Sequence, residues 1–294
     1  MRIVRYLPVD QDADSSGDLS PSYGVQHPDG RVTAAEGEPF SGVKDLGADV
    51  GKIRLLAPIE PAAILCIGMN YAAHAAEGGR EPPERPVLFM KTPTALQHPG
   101  EPIVLPRRLA STRVDYEAEL AVVIGKPCKN ATDKNALDHV LGYTCGNDVS
   151  ARDWQRGGGG GQWCRGKTFD TFAPMGPCLV TTDEIPDPNN LRIGTTLNGM
   201  PMQDAHTSDM IFSVIDLIVF LSSSTTLAPG TVIYTGTPQG VGFARTPPVF
   251  LQPGDEVTVE IEGIGSLTNP VIEEQAAELD RWSISDQKSP GILG

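Results

Sequence analysis

Val114-Asp-Tyr-Glu-Ala-Glu-Leu-Ala-Val-Val-Ile124 is the stretch from which the chain is best read. The spacing predicts a strand over Val114 to Gly125, in which side chains alternate faces, so Glu117 and Glu119 project to the same side. Asp115 shares that face and is expected to support the pair rather than join it. Two like charges held close together raise one pKa unless a cation neutralises them, so an acid pair in an otherwise apolar strand invites a divalent metal. Taken alone, the pair is also explained by a solvated strand face. A second acid-bearing segment, Gly142-Tyr-Thr-Cys-Gly-Asn-Asp148-Val-Ser-Ala-Arg152-Asp153, shifts the balance, because its short apolar strand ends in Asp148 and can supply a third oxygen. Three carboxylates without a nearby His or Cys favour a hard ion, Mg²⁺ or Mn²⁺ with Ca²⁺ as a third candidate, over zinc.

Outward from this stretch the pattern is β-rich. The 294 residues include 32 glycines and 26 prolines, too many for a helix bundle and in keeping with short strands joined by tight turns. Strands are expected at Ile3 to Leu7, Gly176 to Val180, Arg192 to Leu197, Thr231 to Tyr234 and Glu256 to Ile261, with a turn at Pro28-Asp-Gly30. Helices are expected from near Asn70, over Thr132 to Leu141, and from Ser208 to about Ser222. A change of pattern near Leu56-Ala-Pro58 suggests a small N-terminal β domain over 1–60 and a larger catalytic domain over 61–294.

The formal net charge of −14 would repel phosphate backbones and anionic lipid, so nucleic acid and membrane surfaces are poor partners, and an anionic substrate needs a local cation. Met210 to Leu221 is too short to span a bilayer. The start of the chain has no apolar run of signal-peptide length, and a cytoplasmic location is expected. Five widely spaced cysteines without a C-x-x-C pair read as reduced and structural.

Gly161-Gln-Trp-Cys-Arg-Gly-Lys167-Thr168 satisfies the phosphate-loop pattern letter by letter. That pattern needs a strand before it and a helix after it, yet Gly157 to Gly160 precede and Phe169 to Pro174 follow, so the nucleotide reading is rejected. The glycine run reads instead as a mobile loop delivering Lys167. In Asn70-Tyr-Ala-Ala-His74-Ala-Ala-Glu77 the spacing of three puts His74 and Glu77 on one helix face, where they can share a proton-transfer task or merely cap a surface helix. Gly78, Gly79 and Pro82-Pro83 beyond them suit a lid.

Taken in order, Gly68-Met-Asn-Tyr-x-x-His74-x-x-Glu77, Asp115-Tyr-Glu117-Ala-Glu119-Leu, Asn147-Asp148-Val-Ser-Ala-Arg152-Asp, Arg165-Gly-Lys167-Thr-Phe-Asp170, Asn198-Gly199 and Thr235-Gly-Thr237-Pro-Gln-Gly240-Val-Gly242 resemble the fumarylacetoacetate hydrolase superfamily. The likeness runs from about Ala62 to Val271 and favours the branch of acylpyruvases, oxaloacetate decarboxylases and oxaloacetate tautomerases. It implies an α+β, β-rich fold, a mixed β-roll catalytic domain with a small N-terminal domain, and a homodimer or dimer-based oligomer. It also implies Glu117, Glu119 and Asp148 as metal ligands, His74 and Glu77 as the lid dyad, Lys167 as a substrate-facing cation, and Arg152 and Thr237 at substrate-contact positions. The expected activity is metal-dependent C–C hydrolysis of a small 2,4-dioxo acid through an enolate. Oxaloacetate decarboxylation, keto–enol tautomerisation, a sugar-acid or ureidoglycolate-type lyase, and a non-catalytic metal-binding scaffold are the alternatives.

Overall fold

The computed structural model describes residues 1–9 and 20–275. Its centre is the strand Ala118–Ile124, buried at every position. Alternation sends Leu120, Val122 and Ile124 into one apolar cluster and Ala121 and Val123 into another, so both faces of the sheet are covered. That strand lies between Val140–Asn147, antiparallel to it, and Thr231–Tyr234, which runs parallel to Ala63–Gly68. The sheet continues on one side to the edge strand Val87–Lys91 and on the other through Ala173–Thr181 to Arg2–Pro8 and the N-terminal strands. A second sheet of five strands is built around Arg192–Leu197 and Glu256–Ile261. The fold is thus β-rich with mixed sheets and few helices, as the composition and the resemblance led us to expect. The expected turn joins Ser22–Gln26 to Val32–Glu38, with Gly30 at φ 84° and its N–H donated to the His27 carbonyl.

Three expected elements come out shorter. The strand from Val114 breaks after Asp115 and resumes at Ala118. At the break, side chains replace the ladder: Asp115 Oδ1 accepts from its neighbour Tyr116 N, Asn147 Oδ1 from Glu117 N, and Gln203 Oε1 from Ala118 N. The helix expected over Thr132 to Leu141 is a single 3₁₀ turn, Ala136–His139, because Asn135 Oδ1 accepts from both the N–H and the hydroxyl of Thr132 and holds a turn there. The third helix starts only at Val214: Ser213 and Asp216 form a reciprocal cap. The residues before it are diverted by Asn70, which takes the N–H of Ile211 on its carbonyl and that of Phe212 on its side chain.

All five cysteines are free thiols. Among the described residues no helix is long and apolar enough to cross a membrane. The part of the expected second domain beyond 275 lies outside the described residues.

Candidate active site

Strand register assembles the acids. Ala118 pairs with Asn147, so Glu117 lies beside Asp148, whose N–H is donated to the Glu117 carbonyl at 2.9 Å. Carboxylate oxygens of Glu117, Glu119 and Asp148 lie within 4.8 Å of one another, and all three residues are buried. Glu117 reaches this cluster from the break rather than from a continuous strand.

Three buried cations answer these acids. Lys167 Nζ lies 2.7 Å from Glu117 Oε2 and 2.5 Å from Asp148 Oδ2. Arg152 pairs with Asp115 at 2.8 Å and with Glu117 at 2.6 Å. Lys91, which the sequence reading passed over, lies 2.6 Å from Asp148 Oδ1 and donates to the carbonyls of Val149, Lys167 and Phe172. Burial alone would push the Glu117 carboxyl up, but Arg152 and Lys167 outweigh it and hold it well below the usual range. Glu119 differs. Among the described residues its one hydrogen bond comes from Gly236 N at 2.7 Å, and burial together with Asp148 and Glu117 pushes its carboxyl well above 4.5. Gly236 can make that bond because it has no side chain: at its φ of 98° a Cβ would fall 2.7 Å from Asn70 Cβ.

The cluster therefore holds four carboxylates, counting Asp115, against three cations. A divalent ion fits this donor set: three hard oxygens converge, and among the described residues Glu119 is the acid without a cation of its own.

The triad opens into a cavity of about 610 Å³ whose lining includes His74, Glu77, Arg152, Lys167 and Thr237 together with Glu117 and Glu119. His74 and Glu77 lie on α1, Ala72–Glu77, with His74 Nδ1 3.2 Å from Glu77 Oε2. Glu77 Oε1 also accepts from Gly240 N at 3.0 Å, which ties the helix to the segment after Thr237. Burial would raise the Glu77 carboxyl, but the bonds from His74 and Gly240 bring it below its ordinary value.

Thr237 Oγ1 accepts from Gln203 Nε2 at 2.9 Å. Gln203 is a second residue the sequence reading missed. It links Thr237 to the break before Ala118, and its only sequence signal is a polar side chain inside the strand Met200–His206. Asp153 accepts from Trp154 N and Ser111 Oγ and stays outside the cluster. The glycine run does not lead into a phosphate cradle: it begins inside a single π turn, Trp154–Gly158, and Lys167 closes the short helix Cys164–Lys167 with its amine on carboxylates. A Cβ on Gly158 would meet the Trp154 ring at 2.5 Å, so the run packs closely at that point.

A profile described as fumarylacetoacetate (FAA) hydrolase C-terminal matches residues 63–272. The chain belongs to the fumarylacetoacetate hydrolase family. Within it, an oxaloacetate tautomerase of Xenopus laevis, named as mitochondrial, is 51% identical over 221 residues, covering 75% of this chain and 69% of that protein. A 2-hydroxyhepta-2,4-diene-1,7-dioate isomerase structure from Mycobacterium marinum superposes with TM-score 0.76 at 38% identity, over 94% of this chain and all of that one. A fumarylacetoacetate hydrolase from Exiguobacterium antarcticum gives TM-score 0.79 at 35% identity, over 92% and 100%. The Xenopus relative's mitochondrial name differs from the cytoplasmic location expected above for this fumarylacetoacetate hydrolase family member.

Proposed function

We propose that this enzyme interconverts the keto and enol forms of a small 2-oxo acid of the oxaloacetate type, in preference to the C–C hydrolysis expected first. The observation that carries the reading is that one cavity is lined both by a proton-transfer pair, His74 with Glu77, and by a buried acid–base cluster suited to a metal-bound 2-oxo acid. The tautomerase named above, at 51% identity, supports this choice over hydrolysis.

Glu117, Glu119 and Asp148 would hold Mg²⁺ or Mn²⁺, with Ca²⁺ accepted by the same donors, and the ion would supply positive charge to the oxygens of the 2-oxo-carboxylate. His74, oriented by Glu77, moves the proton at the carbon next to the ketone. Burial would lower Lys167, but Asp148 and Glu117 beside it hold its pKa above the usual lysine value, so it stays charged and adds to the field that favours the enolic oxygen. Arg152, fixed by Asp115 and Glu117, and Thr237, fixed by Gln203, orient the acid. In this reading residues 61–294 form the catalytic domain, 1–60 the smaller one, and the working unit is a homodimer.

The test is to follow loss of the enol's ultraviolet absorbance for oxaloacetate, and cleavage of acetylpyruvate, with purified protein in Mg²⁺ or Mn²⁺. Accelerated ketonisation is expected. Cleavage of acetylpyruvate without any acceleration of ketonisation would return the assignment to hydrolysis.

A further inference from the structure

Two arginines at the cavity mouth are not consumed by the acid cluster. Arg156 and Arg80 both line the cavity, and neither has an ion-pair partner among the described residues. Among the described residues Arg80 Nη1 meets only the Met69 sulfur, at 3.4 Å. The Arg156 guanidinium lies 4.6 Å from the centroid of Phe243, the same ring on which the Arg152 guanidinium sits at 4.4 Å and which the His74 ring meets edge-on at 6.4 Å. Phe243 therefore fixes a free cation, a buried cation and the proton-transfer imidazole around one point. Partial burial lowers the Arg156 pKa, and the neighbouring charges that add to this, Arg152, Arg80 and Arg113, are all positive. In a chain of net charge −14, cations left unpaired at one cavity mouth call for an anion supplied from outside.

We propose that Arg156 reads the second carboxylate of a dicarboxylic substrate and thereby sets a preference for 2-oxo diacids over 2-oxo monoacids. The inference rests on the cavity being a 2-oxo acid site and assigns the group that recognises the far end of the substrate. The two guanidinium carbons over Phe243 lie no more than about 9 Å apart, since both are stacked on one ring. Three C–C bonds of about 1.5 Å carry the second carboxylate carbon of a four-carbon diacid roughly 4 Å from the first. Arg152 is held by Asp115 and Glu117 beside the cluster, so Arg156, within that guanidinium–guanidinium interval of it on the same ring and lining the same cavity, is placed to meet the second carboxylate. Arg156 is exposed and sits in the π turn Trp154–Gly158, so its replacement does not threaten the core.

The experiment compares oxaloacetate with its 4-methyl ester, which lacks the second charge, in the wild-type protein, Arg156→Gln and Arg113→Gln, all with Mn²⁺. Arg113 is a nearby cation stacked on Phe250, outside the cavity lining. The wild type should prefer the diacid in kcat/KM. That ratio should fall about tenfold or more in Arg156→Gln, the loss expected for one hydrogen-bonded charge pair, and hold in Arg113→Gln. An unchanged ratio in Arg156→Gln, or an equal fall in Arg113→Gln, overturns the assignment. Calorimetric titration of the same pair separates the two proposals. Tighter diacid binding that depends on Arg156, in a protein that turns over neither compound, would sink the tautomerase reading and keep this one. Turnover of both compounds without preference would do the reverse, and binding of neither overturns both.

Discussion

Replacing Glu119 by Gln should stabilise the metal-free protein and abolish its response to divalent ions. In the unfolded chain this carboxyl ionises near 4.5, whereas in the fold burial, Asp148 and Glu117 push it well above that value. An acid whose folded pKa is raised weakens the fold as pH rises above the unfolded value, and the penalty stops growing only above the folded pKa. Within that window each pH unit costs at most about 1.4 kcal/mol, so the penalty grows as pH rises. Gln has no such penalty, fills the same volume, and can still accept from Gly236 N through its amide oxygen. Urea unfolding in EDTA should therefore show the variant gaining on wild type as pH rises from 5 to 7, by up to about 1.4 kcal/mol per pH unit. Saturating Mn²⁺ should reverse the order, since a ligand at a hundred times its Kd adds about 2.7 kcal/mol to the protein that binds it. A variant less stable than wild type in EDTA at pH 7, or one that Mn²⁺ stabilises as much as wild type, would refute this account of the cluster.

Lys91→Met removes a buried cation from Asp148 and frees three carbonyls, so thermal or urea unfolding should show a loss of about 3–5 kcal/mol; a change under about 1 kcal/mol would show that Lys167 alone suffices for Asp148. His74→Ala should lose roughly 10²–10⁴-fold in ketonisation rate while Mn²⁺ still raises its unfolding midpoint, and full turnover would pass the proton-transfer role to another group. Arg156→Gln should release more CO₂ per ketonisation event from oxaloacetate, measured by coupled CO₂ detection; an unchanged partition would separate recognition of the second carboxylate from control of its fate.

How much of this was legible in the sequence depended on the range of the forces involved. Alternation and turn chemistry are local, so Arg192–Leu197, Thr231–Tyr234, Glu256–Ile261 and the Asp29-Gly30 turn could be read directly. The break after Asp115 could not, because the groups that take over the backbone N–H bonds, Asn147 and Gln203, are remote in sequence and arrive only with the fold. The acids of the triad were visible as residue types. Their balance was not, since Lys91 sits in an edge strand, Val87–Lys91, with no motif around it, and its role depends on reaching Asp148 and three carbonyls from other segments. The same holds for Arg156: next to a glycine run it reads as loop, and only Phe243 brings it to the cavity.

Charge placement also bears on which reaction the cavity favours. Loss of CO₂ from an oxaloacetate-type acid requires the second carboxylate to give up its negative charge as it departs, so a cation paired with that carboxylate stabilises the starting state more than the departing one. Proton transfer at the adjacent carbon leaves the carboxylate charged throughout and keeps the pairing intact. Under the proposal, Arg156 at the far end would raise the barrier to decarboxylation relative to ketonisation, while Lys167 would favour the enolic oxygen shared by both paths. On the proposed reading the buried cluster would provide the common enolic chemistry, and a guanidinium that makes no ion pair among the described residues would select tautomerisation from it.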